Sequence, residues 1–180
     1  IIKAESLWEM FDFASVFENF MKPNGNRIQV ITNGGGYGIL SVDAISKDKN
    51  LKIAEMSKKT FNILKKEFPP LVSVGNPIDL VGDATTERYR IAIEQCIRDK
   101  QIDILLIIAL YQTPLITTDI VDLITEYNDL KKKPIVVVST GGEFTEHLME
   151  SLGETGVTSF TFPEEAVKAI IALVEYYTKW

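Results

Sequence analysis

Hydrophobic and polar positions along the chain follow two alternating periods. Short aliphatic or β-branched runs are each followed by a longer stretch in which apolar residues recur at helical spacing. The most apolar run, 102–110, has the length of one strand and is typical of a strand buried on both faces of a parallel sheet. The whole pattern predicts strands at 27–32, 51–54, 102–110, 134–138 and 157–160.

Strands and helices that alternate through short connections are typical of a doubly wound α/β sheet. We expect a flavodoxin-like fold of three layers, α/β/α, around a mostly parallel five-stranded sheet in the order 2-1-3-4-5. In that order the strand sequence reverses between the first and third strands. A ligand is therefore expected beside the loops that follow these two strands, at 33–38 and 111–117.

A helix is also predicted ahead of the sheet, over 5–21. Its expected core-facing stripe consists of Leu7, Met10, Phe11, Ala14, Phe17 and Met21. Trp8, Phe13, Val16 and Phe20 lie outside that stripe, so the helix carries more apolar surface than one face needs. We interpret this as a helix that contacts a neighbouring domain or subunit.

Composition and charge narrow the class of protein. The 180 residues are 46% hydrophobic and 24% charged, which is typical of a globular domain. With 19 Lys and Arg against 25 Asp and Glu, the net charge is −6, which argues against a nucleic-acid partner. No apolar run reaches the roughly 20 residues of a membrane span, and one cysteine cannot form a disulfide framework. We expect a cytoplasmic protein with no membrane partner.

The glycine-rich loop at 33–38 joins the first strand to a helix and is the strongest candidate site. Glycines let a ligand approach the backbone, and the unpaired N–H groups of a helix start favour an anion. The predicted phosphate- or anion-binding residues are Asn33, Gly34, Gly35 and Gly36. No lysine follows as in a Walker loop, and no acid ends the second strand as in a dinucleotide site. A tight turn that packs helix against strand is the alternative.

Two further loops are expected to border the same pocket. One follows the third strand and contributes Tyr111, Gln112 and Thr113. The other is a second glycine loop, with Gly141 and Gly142, after the fourth strand. Because this loop lies one strand further from the switch point, we interpret it as a secondary contact.

Other residues that could carry chemistry have plainer interpretations. The single histidine, His147, has no visible Asp or Cys partner and is expected to be structural and partly buried. Cys96 lies in a core stripe, Asp79 is interpreted as a loop anchor, and the lysines at 131–133 as a solvated helix end. No Ser-His-Asp order or metal-ligand spacing is present, so no catalytic residue and no metal site is assigned.

Several segments, in order, resemble the ligase domain of the NDP-forming acyl-CoA synthetases, relatives of succinyl-CoA synthetase. They are RIQVITNGGGYGILSVDAI, NPIDLVGDAT, KKPIVVVSTGG and FPEEAV, and ESLWEMFDFA is similar to the segment that leads into that domain. The resemblance covers nearly the whole chain. It implies a leading helix and turn at 1–25 and a flavodoxin-like ligase domain at 26–180, excised from a larger enzyme.

The resemblance also implies a function. The family interconverts acyl-CoA, ADP and phosphate with acid, CoA and ATP through a phosphohistidine, and the loop matching 33–36 supplies a helix start that binds the phosphoryl group. The implied partners are CoA-binding, phosphohistidine and ATP-grasp domains or subunits of the same enzyme. That enzyme uses ADP or ATP, CoA, phosphate and Mg, none of them bound by this domain alone. His147 does not match the phosphohistidine, so the isolated chain is not expected to turn over substrate.

The alternative is a stand-alone flavodoxin-like module that binds FMN or a small anionic metabolite at the same crevice. Against FMN, the glycine loop lacks the serines and threonines expected around its phosphate, and few aromatic residues are placed to stack on the flavin ring.

Overall fold

A computed structural model describes residues 1–19 and 22–179. The strands in this part of the chain are β1 (Arg27–Thr32), β2 (Lys52–Ile53), β3 (Ile78–Asp79), β4 (Ile104–Ile108), β5 (Ile135–Val138) and β6 (Thr158–Phe160). The helices are α1 (Leu7–Asn19), α2 (Gly35–Lys47), α3 (Lys58–Glu67), α4 (Thr86–Arg98), α5 (Asp119–Asp129), α6 (Glu143–Glu154) and α7 (Pro163–Lys179). Phe20 and Met21, which the sequence pattern assigns to the first helix, lie outside the described residues.

The described strands pair in parallel in the order β2-β1-β4-β5-β6. This confirms the α/β prediction and, for the five predicted strands, the order 2-1-3-4-5. The short β3 adds a sixth strand that the sequence did not predict. It pairs in parallel with the end of β1, where Thr32 lies opposite Asp79.

The side chain of Asn76 continues the β1 ladder between the short strands β2 and β3. Its Oδ1 accepts the N–H of Val30 at 3.0 Å. Its Nδ2 donates to the carbonyls of Ile28, at 2.7 Å, and of Ala54, at 3.1 Å. Asn76 therefore gives the N–H of Val30 a partner, since unpaired buried peptide groups are costly. The carbonyl of Ile28 also accepts the N–H of Ala54, at 2.9 Å.

Two hydrophobic cores lie on opposite faces of the sheet and produce the three layers. Along β4, Ile104, Leu106 and Ile108 belong to the core under α1, α2 and α7. Leu105 and Ile107 point the other way, into the core under α3, α4, α5 and α6. Within the described residues, no helix is long and apolar enough to cross a membrane.

The first helix presents a different face to the core from the one its periodicity predicted. Val16 is fully buried, and Phe13 and Phe17 pack beside it, whereas Leu7 and Phe11 are exposed. The predicted stripe was right at Phe17 but wrong at Leu7 and Phe11, because α7 and β6 contact a different side of α1. This packing is what selects among the apolar faces of the helix.

Charged groups at the amino ends of the strands make buried contacts, and one of them, Lys133, was predicted to be solvated. Arg27 pairs with Asp103 at 2.7 Å, which ties the start of β1 to β4. Lys133 is buried rather than solvated, and its Nζ donates to the carbonyls of Cys96, at 2.7 Å, and Asp99 at the end of α4. This cation therefore caps a neighbouring helix, where the dipole is negative.

Cys96 and His147 differ in their surroundings. Cys96 is buried in the core, as predicted, and burial raises the pKa of its thiol to about 12. His147 is exposed on α6 beside the carboxylates of Glu143 and Glu150, so the expectation of a partly buried histidine was wrong. The histidine lies on the solvent side of α6, while Leu148 and Leu152 face the core.

Candidate functional site

The predicted glycine loop lies where β1 ends and α2 begins. Gly34 occupies the N-cap position of α2 in an extended conformation, with φ −127° and ψ 94°. The hydroxyl of Thr32 accepts the N–H of Gly34 and donates to its carbonyl, both at 2.9 Å. The loop is therefore held by the last residue of the strand that precedes it.

Asn33 joins this loop to the loop that follows β4. Its Nδ2 donates to the carbonyl of Leu110 at 3.0 Å and to the hydroxyl of Thr113 at 2.9 Å. Its Oδ1 accepts the N–H of Leu110 at 2.9 Å. The side chain is only 3% exposed. All of these bonds span the switch point between β1 and β4, so the amide of Asn33 sets the spacing of the two loops.

The first turn of α2 presents backbone donors without internal partners. Among the described residues, no hydrogen bond engages the N–H groups of Gly35, Gly36 and Tyr37, as expected at a helix start. Gly36 is exposed, and no heavy atom outside its own helix and chain neighbours lies within 4 Å of the position a Cβ would take. This turn is thus exposed to solvent at Gly36.

A carboxylate lies at the margin of the same turn. The Oδ2 of Asp79 is 2.7 Å from the position of a Cβ on Gly35, so only glycine permits this approach. The Oδ1 of Asp79 accepts the N–H of Val81 at 2.9 Å and supports the left-handed φ of 61° at that residue. Asp79 is therefore the loop anchor that the sequence predicted, and it also places negative charge beside the helix start.

Gly38, one turn further along α2, allows the helix to approach its neighbours. A Cβ at Gly38 would lie 2.8 Å from the methyl group of Thr32 and 3.2 Å from Pro77. The segment that leads into β3 therefore packs directly on the first turn of α2.

The loops after β4 and β5 are also linked to each other. The side-chain amide of Gln112 donates to the carbonyl of Thr140, and the missing Cβ of Gly141 leaves room for that amide. Gly142 is the N-cap of α6, whose first turn carries two acidic residues, Glu143 and Glu146. This second helix start is thus already provided with negative charge.

Tyr111, which is predicted to line the pocket, has its side chain buried in the core at 6% exposure. Its hydroxyl has no hydrogen-bond partner among the described residues, and burial raises its pKa. The nearby hydroxyl of Tyr89 is fully buried and donates to the carbonyl of Ile108 at 2.5 Å. Burial also raises the pKa of Tyr89, so both phenols remain neutral supports beneath the loops.

Sequence reasoning brought the right loops together but missed some of the residues that hold them. Thr32, Asp79 and Tyr89 were not assigned to the site, although each contacts it or supports it. The position of Thr32 at the end of a predicted strand was a usable signal for that residue. The described residues contain no group of three or more His, Cys, Asp or Glu side chains that could hold a metal ion.

Comparison with known proteins gives a consistent result for nearly the whole chain. A family model of the Ligase-CoA domain matches residues 28–180. The chain is 30% identical over 182 residues to acetate–CoA ligase [ADP-forming] I subunit alpha of Pyrococcus furiosus. That alignment covers 100% of this chain and 39% of the relative.

Two solved structures superpose closely on this chain. PH0766 from Pyrococcus horikoshii OT3 superposes with a TM-score of 0.90 at 28% identity, over 99% of this chain and 41% of that one. The dinucleotide-forming acetyl-coenzyme A synthetase 1 of Ca. Korarchaeum cryptofilum, solved in complex with phosphate and ADP, gives 0.88 at 26% identity, over 99% and 39%. The chain thus spans about two fifths of the length of these relatives.

Proposed function

The chain belongs to the Ligase-CoA domain family, and on that basis we propose that it is the domain of an ADP-forming acyl-CoA synthetase that holds the phosphoryl group. The proposed reaction of the whole enzyme converts acyl-CoA, ADP and phosphate into acid, CoA and ATP. CoA-binding, phosphohistidine and ATP-grasp domains of the same enzyme are the proposed partners, in the cytoplasm, and any Mg would be held outside the residues described here.

The observation that carries the proposal is the row of unpaired donors at the start of α2. The N–H groups of Gly35, Gly36 and Tyr37 would donate to the oxygens of a phosphate or phosphoryl group. The positive end of the helix dipole adds to their attraction for negative charge. Because these donors belong to the backbone, they need no reorientation when charge develops during transfer.

The predicted set of anion-binding residues is narrowed by this geometry. The N–H of Gly34 and the side chain of Asn33 already have partners within the chain. We therefore assign them to positioning, and we assign direct contact to Gly35, Gly36 and the added Tyr37. Gln112, Thr113, Gly141 and Gly142 remain predicted neighbours of the pocket on the loops after β4 and β5.

Relatives support this assignment over the FMN-binding alternative. The relative solved in complex with phosphate and ADP is an acetyl-coenzyme A synthetase, and its structure superposes on 99% of this chain. The P. furiosus relative is likewise called an ADP-forming ligase. No specific feature of the described residues favours a flavin.

Phosphate titration followed by NMR tests the proposed donors in the 180-residue chain. We expect the amide signals of Gly35, Gly36 and Tyr37 to shift at millimolar phosphate. Gly36→Glu adds a carboxylate to the open first turn and should abolish these shifts. Gly153→Glu is the matched control, since Gly153 is exposed on α6 and a Cβ there would also meet no neighbour within 4 Å.

Two results would contradict the proposal. One is a wild-type chain whose amides at 35–37 do not respond to phosphate. The other is a response that survives Gly36→Glu unchanged. In the complete enzyme, the same variant should lower the rate of ATP formation from acyl-CoA, ADP and phosphate, while Gly153→Glu should leave it within about twofold.

A further inference from the structure

The outer face of α1 exposes several large apolar side chains next to one another. Leu7 is 71% exposed, Trp8 82%, Met10 48% and Phe11 64%. At ~200 Å² for each fully exposed side chain of this size, the four together expose on the order of 500 Å². The largest apolar patch on a typical monomer is about 300–600 Å² and is often functional. We call these four residues the α1 patch.

The α1 patch is a preformed surface, because the opposite side of the helix is firmly attached to the domain. Val16 is fully buried. The carbonyl of Ser15 accepts the hydroxyl of Thr158 in β6 at 3.2 Å. Glu9 pairs with Lys168 of α7 at 2.8 Å. Turning the helix to hide the patch would break all of these contacts.

Beside the α1 patch is a cavity of about 270 Å³ that has Trp8 in its wall. Met149 and Phe160 supply further apolar lining, and Asp12 and Glu165 supply acidic groups. Ser159 and Thr161 add hydroxyl groups, so a basic residue from another surface would meet two carboxylates in a mostly polar recess. The patch therefore combines an apolar face with a recess, which is the shape expected of a packing interface.

We propose that the α1 patch is covered by a further folded domain of the same enzyme, covalently joined to this one. This rests on the proposed function as one domain of a larger synthetase. Interfaces between domains of one chain bury about 600–1,500 Å² in total. The α1 patch, with on the order of 500 Å² on its own side, is large enough for such an interface. A stable complex of separate copies needs ~800 Å² per partner, so the area favours a tethered occupant over a second copy.

The length of the relatives supplies such an occupant. The chain covers 39% of the P. furiosus alpha subunit and 41% of the P. horikoshii protein, so most of each relative lies outside the matched part. Tethering raises the effective concentration of a second surface to about millimolar. A modest apolar face is then enough for stable packing.

Hydroxyl-radical footprinting read by mass spectrometry tests this proposal at single residues. The 180-residue chain is compared with the enzyme expressed from its complete reading frame. We expect oxidation of Trp8, Met10 and Phe11 to fall at least fivefold in the complete enzyme. Light scattering of the 180-residue chain should give a monomer at about 100 µM.

A matched pair of variants adds a stability readout. Leu7 and Leu71 are 71% and 73% exposed, so serine at either position changes the exposed surface of the isolated chain equally. Leu7→Ser should lower the melting temperature of the complete enzyme and not that of the chain. Leu71→Ser should lower neither.

The proposal is overturned if Trp8 oxidises equally in both proteins, or if the complete reading frame adds no folded domain. A chain that dimerises, and loses its dimer with Phe11→Ser, would overturn it in favour of a second copy. An enzyme that forms ATP while Trp8 stays reactive refutes the interface alone. An enzyme that protects Trp8 but forms no ATP from acyl-CoA, ADP and phosphate refutes the proposed function alone.

Discussion

Replacing Asn33 by alanine should destabilise the domain, because the side chain of Asn33 joins the two loops at the switch point. The variant loses donation to the carbonyl of Leu110 and the hydroxyl of Thr113, and acceptance of the N–H of Leu110. Each such bond contributes about 0.5–1.5 kcal/mol, and a buried group left without a partner costs about 1–3 kcal/mol. Since Asn33 is 3% exposed, water cannot replace these bonds without rearrangement.

We therefore expect the free energy of unfolding to fall by about 2–4 kcal/mol. Urea unfolding followed by circular dichroism measures it, and the midpoint should move with an unchanged slope m. Exposed Asn24 offers the control, since Asn24→Ala should change stability by less than about 0.5 kcal/mol. A fall for Asn33→Ala no larger than that of the control would refute the idea that its amide holds the loops.

Asn33→Asp separates the accepting and donating roles of the same side chain. A carboxylate still accepts the N–H of Leu110 but faces the carbonyl of Leu110 where the amide donated. Protonation of that carboxyl restores one donor. The loss of stability in the variant, measured against wild type, should therefore be smaller at pH 4 than at pH 7. Equal deficits at the two pH values would indicate that donation by Asn33 contributes little.

Further predictions concern the glycines of α2, the side chain of Asn76 and stability in acid. Gly36→Ala should stabilise α2 by about 0.5–1 kcal/mol, whereas Gly38→Ala should destabilise it, since its Cβ would lie 2.8 Å from Thr32; paired thermal melts check the opposite signs. Asn76→Ala should speed hydrogen exchange at the N–H of Val30 in β1 and lower stability by about 2–4 kcal/mol, as NMR exchange would report. Burial alone would raise the pKa of Asp103, but the guanidinium bonded to it holds the pKa below its usual range. Its contribution is thus present above about pH 4 and lost as pH falls through the folded pKa. Asp103→Asn should flatten that acid loss in urea titrations from pH 5 to 2.

The strands could be predicted because hydrophobic period is a local property of the sequence. Their order and the switch point followed from the fold class that alternating strands and helices indicate. The run 102–110 is apolar throughout, and the described core of β4 is buried on both faces. The short β3 could not be predicted in the same way. Its two residues have no period of their own, and they pair with β1 beside the side chain of Asn76. A side chain that replaces a strand partner leaves no periodic signal in the sequence.

The inward face of α1 shows a second limit. Periodicity identified apolar stripes, but the helix carries apolar residues on more than one side. Which side faces the core depends on α7 and β6, whose residues lie more than a hundred positions away, as the bond between Ser15 and Thr158 illustrates. The stripe of Leu7 and Phe11 was therefore assigned to the wrong side.

The predicted anion-binding loop shows the same dependence on contacts that are distant in sequence. A glycine loop after the first strand is visible in the sequence, yet the role of Asn33 depends on Leu110, 77 residues away. Once the amide of Asn33 and the N–H of Gly34 are bonded within the chain, only the N–H groups of the first turn of α2 remain for an anion. These donors do not titrate, and the acidic net charge of −6 does not supply their attraction. A site built from backbone dipoles depends on rigid placement rather than on cations. The hydrogen bonds of Asn33 and Gly34 within the chain supply that rigidity.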